Sequence, residues 1–234
     1  MVGWESIHSL TAEMHGGILT LAAVCIILTA LAQIVMHFQQ SMPKSIVKAA
    51  MRARGYLDAT GYVAVVAGVF ALLLSAFTGS QAWPMDALLD NAVVRNKIVL
   101  TVFATTLWAM VASVRWRFGR PLWTCPSMAA CYTVLAIVAM GITSTAGSLG
   151  AHLTKGESIL DFVWNLVGVN VLQDLLLSMD LALIISIISL IVIIAVLVIR
   201  RLSGISQEQL GQRKCTKWSK WDEPIIGEEK VAKK

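Results

Sequence analysis

Apolar residues in this chain come in long blocks rather than in alternation or in a narrow helical stripe. Five blocks stand out, over 16–36, 60–78, 96–114, 127–149 and 181–199. Each is close to the roughly 20 residues a helix needs to cross the hydrocarbon core of a bilayer. The polar residues gather between them. Lys44, Lys48 and Arg52 recur every fourth residue after Pro43, which predicts a short basic helix lying on the membrane surface. Gly79-Ser80, Trp83-Pro84 and Asp86 predict a loop. Arg115, Arg117 and Arg120, interleaved with Trp116, Phe118 and Trp123, predict an anchoring belt, with aromatics at headgroup depth and arginines reaching phosphate. Residues 159–177 are apolar but broken by Asp161, Asn165, Asn170, Gln173 and Asp174, which share no helical face. That segment reads as partly buried, re-entrant or interfacial, and the pattern leaves the choice open. Residues 200–234 form a basic tail without apolar periodicity.

Composition strengthens the membrane reading. Of 234 residues, 57% are hydrophobic and only 14% charged, against about 25% charged in a soluble domain. The expected fold is therefore all-α: an integral membrane bundle of five crossings within residues 1–199, followed by a cytosolic tail. No Lys or Arg precedes the first block, which argues against a secretory signal peptide. The net charge of +5 is explained by topology. With the N-terminus outside and the C-terminus inside, only Arg95, Lys97 and Lys155 fall on the outer side, and every other Lys and Arg is cytoplasmic, as the positive-inside rule requires. The charge then serves orientation and anionic lipid, so nucleic acid is not an expected partner. The expected location is the cell membrane, as a multi-pass protein. Four cysteines without a CxxC pair read as structural thiols. Asp58, Asp90 and Asp180 fall near crossing ends, where they can stay hydrated, so ion transport is not favoured. No nucleophile elbow, phosphate-cradling glycine loop or paired intramembrane carboxylates is present.

The candidate chemistry lies at the outer end. Gly141, Thr145, Ser148 and His152 recur at i, i+4, i+7 and i+11 and so share one helical face. Such a face suits tight packing of a neighbouring helix or the close approach of a flat cofactor. In the assigned topology His8, His15 and His152 are outside and His37 alone is inside. His15 opens the first crossing and His152 follows the fourth, so the two are expected at one depth. Two imidazoles on different helices at one depth are what a b-type haem requires, with Gly141, Thr145 and Ser148 making room for the ring. His37 has no second inner histidine, which sets one haem as the upper bound. A competing reading joins His8, His15 and His152, with Glu13 and Asp161, into a copper or zinc site. The bland alternative is that each histidine bonds to headgroups or loop carbonyls.

Met14-His15-Gly16-Gly17 and Ala146-Gly147-Ser148-Leu149-Gly150-Ala151-His152-Leu153, with Arg95-Asn96-Lys97 between them, make residues 8–156 resemble a family of small bacterial and archaeal membrane proteins of unknown function. In that family a His-Phe-Pro opens the first helix and Thr-Gly-x-x-Gly-Gly-x-Leu closes the fourth. Here Gly-Gly follows His15, Ala151 replaces the second closing glycine, and Arg95 stands near the family's third-helix histidine. The layout is also similar to the four-helix cytochrome b type, an architectural analogy. The leading expectation is a cytochrome b-like subunit carrying electrons between an extracytoplasmic redox partner and the quinone pool. Whether it is an enzyme stays open at this point: at most it would be an electron-transfer subunit of an oxidoreductase complex. The alternative is a non-catalytic structural or assembly subunit of a multi-subunit membrane complex. In both, the partners are the bilayer and other membrane subunits.

Overall fold

A computed structural model describes residues 3–166 and isolated positions between 168 and 198. Six helices follow one another: α1 Trp4–His37, α2 Lys44–Ala82, α3 Met85–Asp90, α4 Ala92–Phe118, α5 Pro126–Lys155 and α6 Asp161–Leu166. Among the described residues, α1, α2, α4 and α5 are long and apolar enough to cross a membrane. The expected fifth crossing at 181–199 lies largely outside the described residues, and the tail at 200–234 lies outside them entirely.

Local signals set the boundaries. Pro43 precedes α2, and Pro84 follows its C-terminus. The Asn91 side chain caps α4, accepting from the backbone N–H groups of Val93 at 2.9 Å and Val94 at 3.3 Å. Gly119 ends α4 at φ +62°, and Gly156 ends α5 at φ +78°, a region that favours glycine.

The helices run past the expected crossings. α1 has 34 residues and α2 has 39, or about 50 Å and about 60 Å at roughly 1.5 Å per residue. The predicted surface helix at Lys44–Arg52 is in fact the first turns of α2. Nothing between Lys44 and Ala82 breaks the helix, and Arg54 is held to α1 by donating to Gln33 Oε1 at 2.8 Å.

α1 and α2 pack as an antiparallel hairpin along their length, α4 and α5 as a second, with α1 against α5 and α2 against α4. The register is visible in pairs that climb one helix while descending the other. His8 meets Ser75, Gly68 faces Leu19, Gly61 faces Cys25, and Arg54 meets Gln33. A Cβ on Gly61 would stand 3.1 Å from Cys25 Cβ, so the missing side chain sets the close helix approach. The core is filled by Leu19, Ala22 and Ile26 of α1, Val65 and Leu72 of α2, Trp108 and Val111 of α4, and Ala136 and Ala139 of α5. Leu28, Leu31, Phe70, Leu73, Phe77, Ile137 and Val138 point outward, giving the bundle an apolar exterior suited to lipid tails.

Four antiparallel crossings put the start of α1 and the end of α5 at one end of the bundle, with His8, His15 and His152. The opposite end carries Arg115, Arg117 and the α1–α2 turn. These are called the histidine end and the arginine end below.

Candidate functional site

At the arginine end a buried polar network joins three elements. Asp58 of α2 is 8% exposed and receives a two-pronged contact from Arg115 of α4, with Nε donating to Oδ1 at 2.8 Å. Trp123, in the turn after α4, donates its indole N–H to the same Oδ1 at 2.7 Å. Tyr132 of α5 packs edge-on against Trp123 at 5.5 Å, and Tyr62 lies under the Arg115 guanidinium at 5.7 Å. Two expectations are corrected here. Asp58 is desolvated instead of hydrated at a crossing end, and Arg115 and Trp123 turn into the bundle instead of anchoring at headgroups. The reason is mutual: a carboxylate with three donors can be buried, and the donors are then buried with it. Trp116, 59% exposed, faces outward as expected. Cys125, at the same end, is disulfide-bonded with its partner outside the described residues, so it is not the thiol expected, whereas Cys25 and Cys131 are free.

At mid-bundle, Trp108 donates its indole N–H to Thr143 Oγ1 at 2.9 Å, tying α4 to α5. At the histidine end, α1 and α2 are joined by a small polar knot. His8 Nδ1 lies 3.0 Å from the Ser75 carbonyl and 3.3 Å from Thr78 Oγ1, and Thr11 and Thr78 hydroxyls bond at 2.9 Å. Trp83 closes edge-on over His8 at 5.2 Å.

The sequence-derived site residues are distributed as follows. His15 is half-buried on α1, its Nδ1 3.1 Å from the Thr11 carbonyl. A carbonyl only accepts, so that nitrogen carries the hydrogen and Nε2 is bare in the neutral ring. His152 is committed on both sides. Its Nδ1 is 3.2 Å from the Gly156 carbonyl and its Nε2 is 2.9 Å from Asp161 Oδ1. Both partners are acceptors, so both contacts are complete only when both nitrogens carry hydrogen, whereas a ligand to iron needs a bare nitrogen. Coordination by His152 therefore requires its release from Asp161. The small face does not stay on one side of the environment. Gly141 is exposed with open space where a Cβ would be, while Thr145 and Ser148 are buried, at 7% and 1% exposure. Thr145 Oγ1 donates back to the Gly141 carbonyl at 2.9 Å.

Asp161 belongs to α6 and closes the corner after α5. Its Oδ2 accepts from the Ser158 backbone N–H at 3.0 Å. That bond chiefly holds the carboxyl below the usual carboxylate range, with the His152 contact adding to it. The Ser148 hydroxyl also lies close enough to favour the charged carboxylate, but no contact of hydrogen-bond geometry forms, and its oxygen is buried without a partner among the described residues.

Three residues at this end carried no weight in the sequence-derived site: Lys97, Gly150 and Trp164. The Lys97 stem lies along α5, where a Cβ on Gly150 would come within 2.9 Å of Nζ. The ammonium is near enough to His8 and His15 for its charge to act on both. Trp164 buries its indole nitrogen without a hydrogen-bond partner among the described residues. A charge inside the third apolar block, at Lys97, was the available signal. Among the described residues no three His, Cys, Asp or Glu side chains gather as a metal-binding group. No protein-family model matches the chain, and neither a curated protein nor a solved structure matches it.

Proposed function

We propose that this chain is a non-catalytic membrane subunit whose bundle assembles with other subunits of a membrane complex. The observation that carries this reading is His152. The histidine an electron carrier would need at the end of α5 spends both ring nitrogens on its own corner, on Gly156 and Asp161. The interior polar groups act in the same way: Asp58 with Arg115 and Trp123, and Trp108 with Thr143, hold helices to one another. Basic residues at the arginine end support an orientation with that end in the cytoplasm, and the apolar composition of residues 181–199 suits a further surface for subunit contact.

A second reading is favoured by His15. Its Nδ1–H is anchored on a backbone carbonyl and its Nε2 is bare, the arrangement of a ligating imidazole. In this reading the chain is a cytochrome b-like subunit between an extracytoplasmic redox partner and the quinone pool. His15 and His152 are the axial ligands of one haem b, and Thr145 and Ser148 line it. The haem would supply one-electron chemistry.

One experiment separates the two. The chain is purified with its native partners in mild detergent, and its dithionite-reduced minus oxidised spectrum is recorded beside His15→Ala and His152→Ala. The assembly reading expects no b-type signal, with co-purifying subunits retained in both variants. A b-type signal that disappears in both variants overturns it in favour of electron transfer.

A further inference from the structure

We propose that the basic stripe at the start of α2 is the docking surface for this chain's own acidic segment, Asp222-Glu223-Pro224-Ile225-Ile226-Gly227-Glu228-Glu229. Lys44, Lys48 and Arg52 recur every fourth residue of α2 and are all exposed, and that spacing puts them on one face. None of the three has an ion pair among the described residues. Tyr56, the next residue at the same spacing, is 79% exposed. The bundle does not supply the missing acid. Asp58 is committed to Arg115 and Trp123, and the other described carboxylates, Glu5, Glu13, Asp86, Asp90, Glu157 and Asp161, belong to the histidine end.

Geometry argues against lipid headgroups as the complement. α2 is unbroken from Lys44 to Ala82, so its first turns continue the line of a crossing helix and do not lie along the membrane. The Asp58–Arg115 pair stands where the third apolar block ends. Lys44 is about 20 Å farther along α2, at roughly 1.5 Å per residue, whereas one headgroup layer is only about 5–8 Å thick. The near end of the stripe reaches that layer, and the far end stands clear of it.

The tail suits the stripe in charge and in length. Residues 222–229 hold two acidic pairs and no Lys or Arg, with Ile225 and Ile226 between the pairs. With residues 181–199 taken as a fifth crossing, the tail begins at the arginine end. The stretch from Arg200 to Asp222 then has a flexible span of about 25 Å, comparable to the roughly 20 Å width of a four-helix bundle. A tether that matches its span holds a segment at millimolar effective concentration, which offsets the weakness of exposed ion pairs. This inference does not rest on the assembly reading.

The test uses the full chain in neutral detergent, as an equal mixture of isotope-labelled and unlabelled protein. A carbodiimide joins lysine amines to carboxylates in contact with them, and the joined peptides are read by mass spectrometry. The expected result is Lys44 and Lys48 joined to residues 222–229 within one chain, and loss of these links in salt at about 1 M, where charges are screened beyond about 3 Å. Arg52 does not itself react, so it reports on the seating of the segment. Arg52→Gln should lower the yield about two- to fivefold, the scale of one exposed ion pair, and Arg52→Lys should retain it. Arg120→Gln, exposed at the same end but on the turn after α4, should leave it unchanged. Absence of links from Lys44 and Lys48 to the segment, or links only between labelled and unlabelled chains, overturns the proposal. So does an undiminished yield in Arg52→Gln, or an equal loss in Arg120→Gln, which would reduce the contact to general attraction towards a basic end.

Discussion

The two ends of the bundle handle buried polarity in opposite ways. At the arginine end the buried charges complement one another: Asp58 answers both Arg115 and the Trp123 indole, and rings of Tyr62 and Tyr132 close over them. At the histidine end, the knot of His8, Thr11 and Thr78 and the corner of His152 and Asp161 are satisfied, while the Ser148 hydroxyl and the Trp164 indole N–H are buried without a hydrogen-bond partner among the described residues. A network that is complete costs most when one member is removed. A network that is incomplete is tolerated where something else completes it. The arginine end therefore reads as a clamp for the fold, and the histidine end as the less tightly knit of the two.

The sharpest way to break this comparison is to remove the centre of the clamp. Asp58→Ala strands a buried guanidinium and a buried indole N–H, and is expected to cost about 3–5 kcal/mol, the penalty of breaking a buried pair. Thermal unfolding in detergent would show it as a large drop in midpoint. A shift no larger than that of an exposed control would mean the clamp does not hold the fold.

Lys97→Met should have the opposite sign. With no partner lost among the described residues, replacing the largely desolvated ammonium by an apolar side chain is expected to stabilise the protein by roughly 0.5–2 kcal/mol. The same unfolding assay reads it. A destabilised Lys97→Met would mean that the ammonium already has its complement within the chain and that the two ends are not different in kind.

The smallest effect is expected at the α5–α6 corner. Asp161→Asn should leave the global midpoint nearly unchanged and speed amide exchange at Ser158, whose N–H the carboxylate holds. The pH dependence follows from the sign of the shift. Because the folded carboxyl titrates below its unfolded value of about 3.9, its contribution is fully present above that value. It is lost as pH falls through the lower folded value. Protection of Ser158 in the wild type should therefore persist from neutral pH to about pH 4 and fall only below it. Loss of protection already at neutral pH would mean that the Asp161 carboxylate does not hold the corner.

Much of the architecture was legible as pattern. The first four apolar blocks each lie within a long helix, and Pro43, Pro84, Gly119 and Gly156 stand at ends where their backbone restrictions or freedoms act locally. Helix length was not legible. The polar stretches before the first and second blocks are helical because the α1–α2 hairpin continues to pack beyond the apolar register, through contacts such as Arg54 with Gln33. Of the candidate site, the sequence placed His15, Ser148 and His152 at one end, since alternation of crossings decides that. It could not say which nitrogens were free.

The sequence by itself determined that this is a membrane protein of long apolar helices, because length and hydropathy alone decide whether a segment suits hydrocarbon. Only the tertiary structure decided what the polar residues do. Asp58 and Arg115 lie 57 positions apart, and whether each is hydrated or paired depends on which helices face one another. The same holds for Lys97, whose charge stands over Gly150 of another helix. Electrostatic and hydrogen-bond energies depend on distances between groups far apart in the chain, and those distances exist only once the helices have packed.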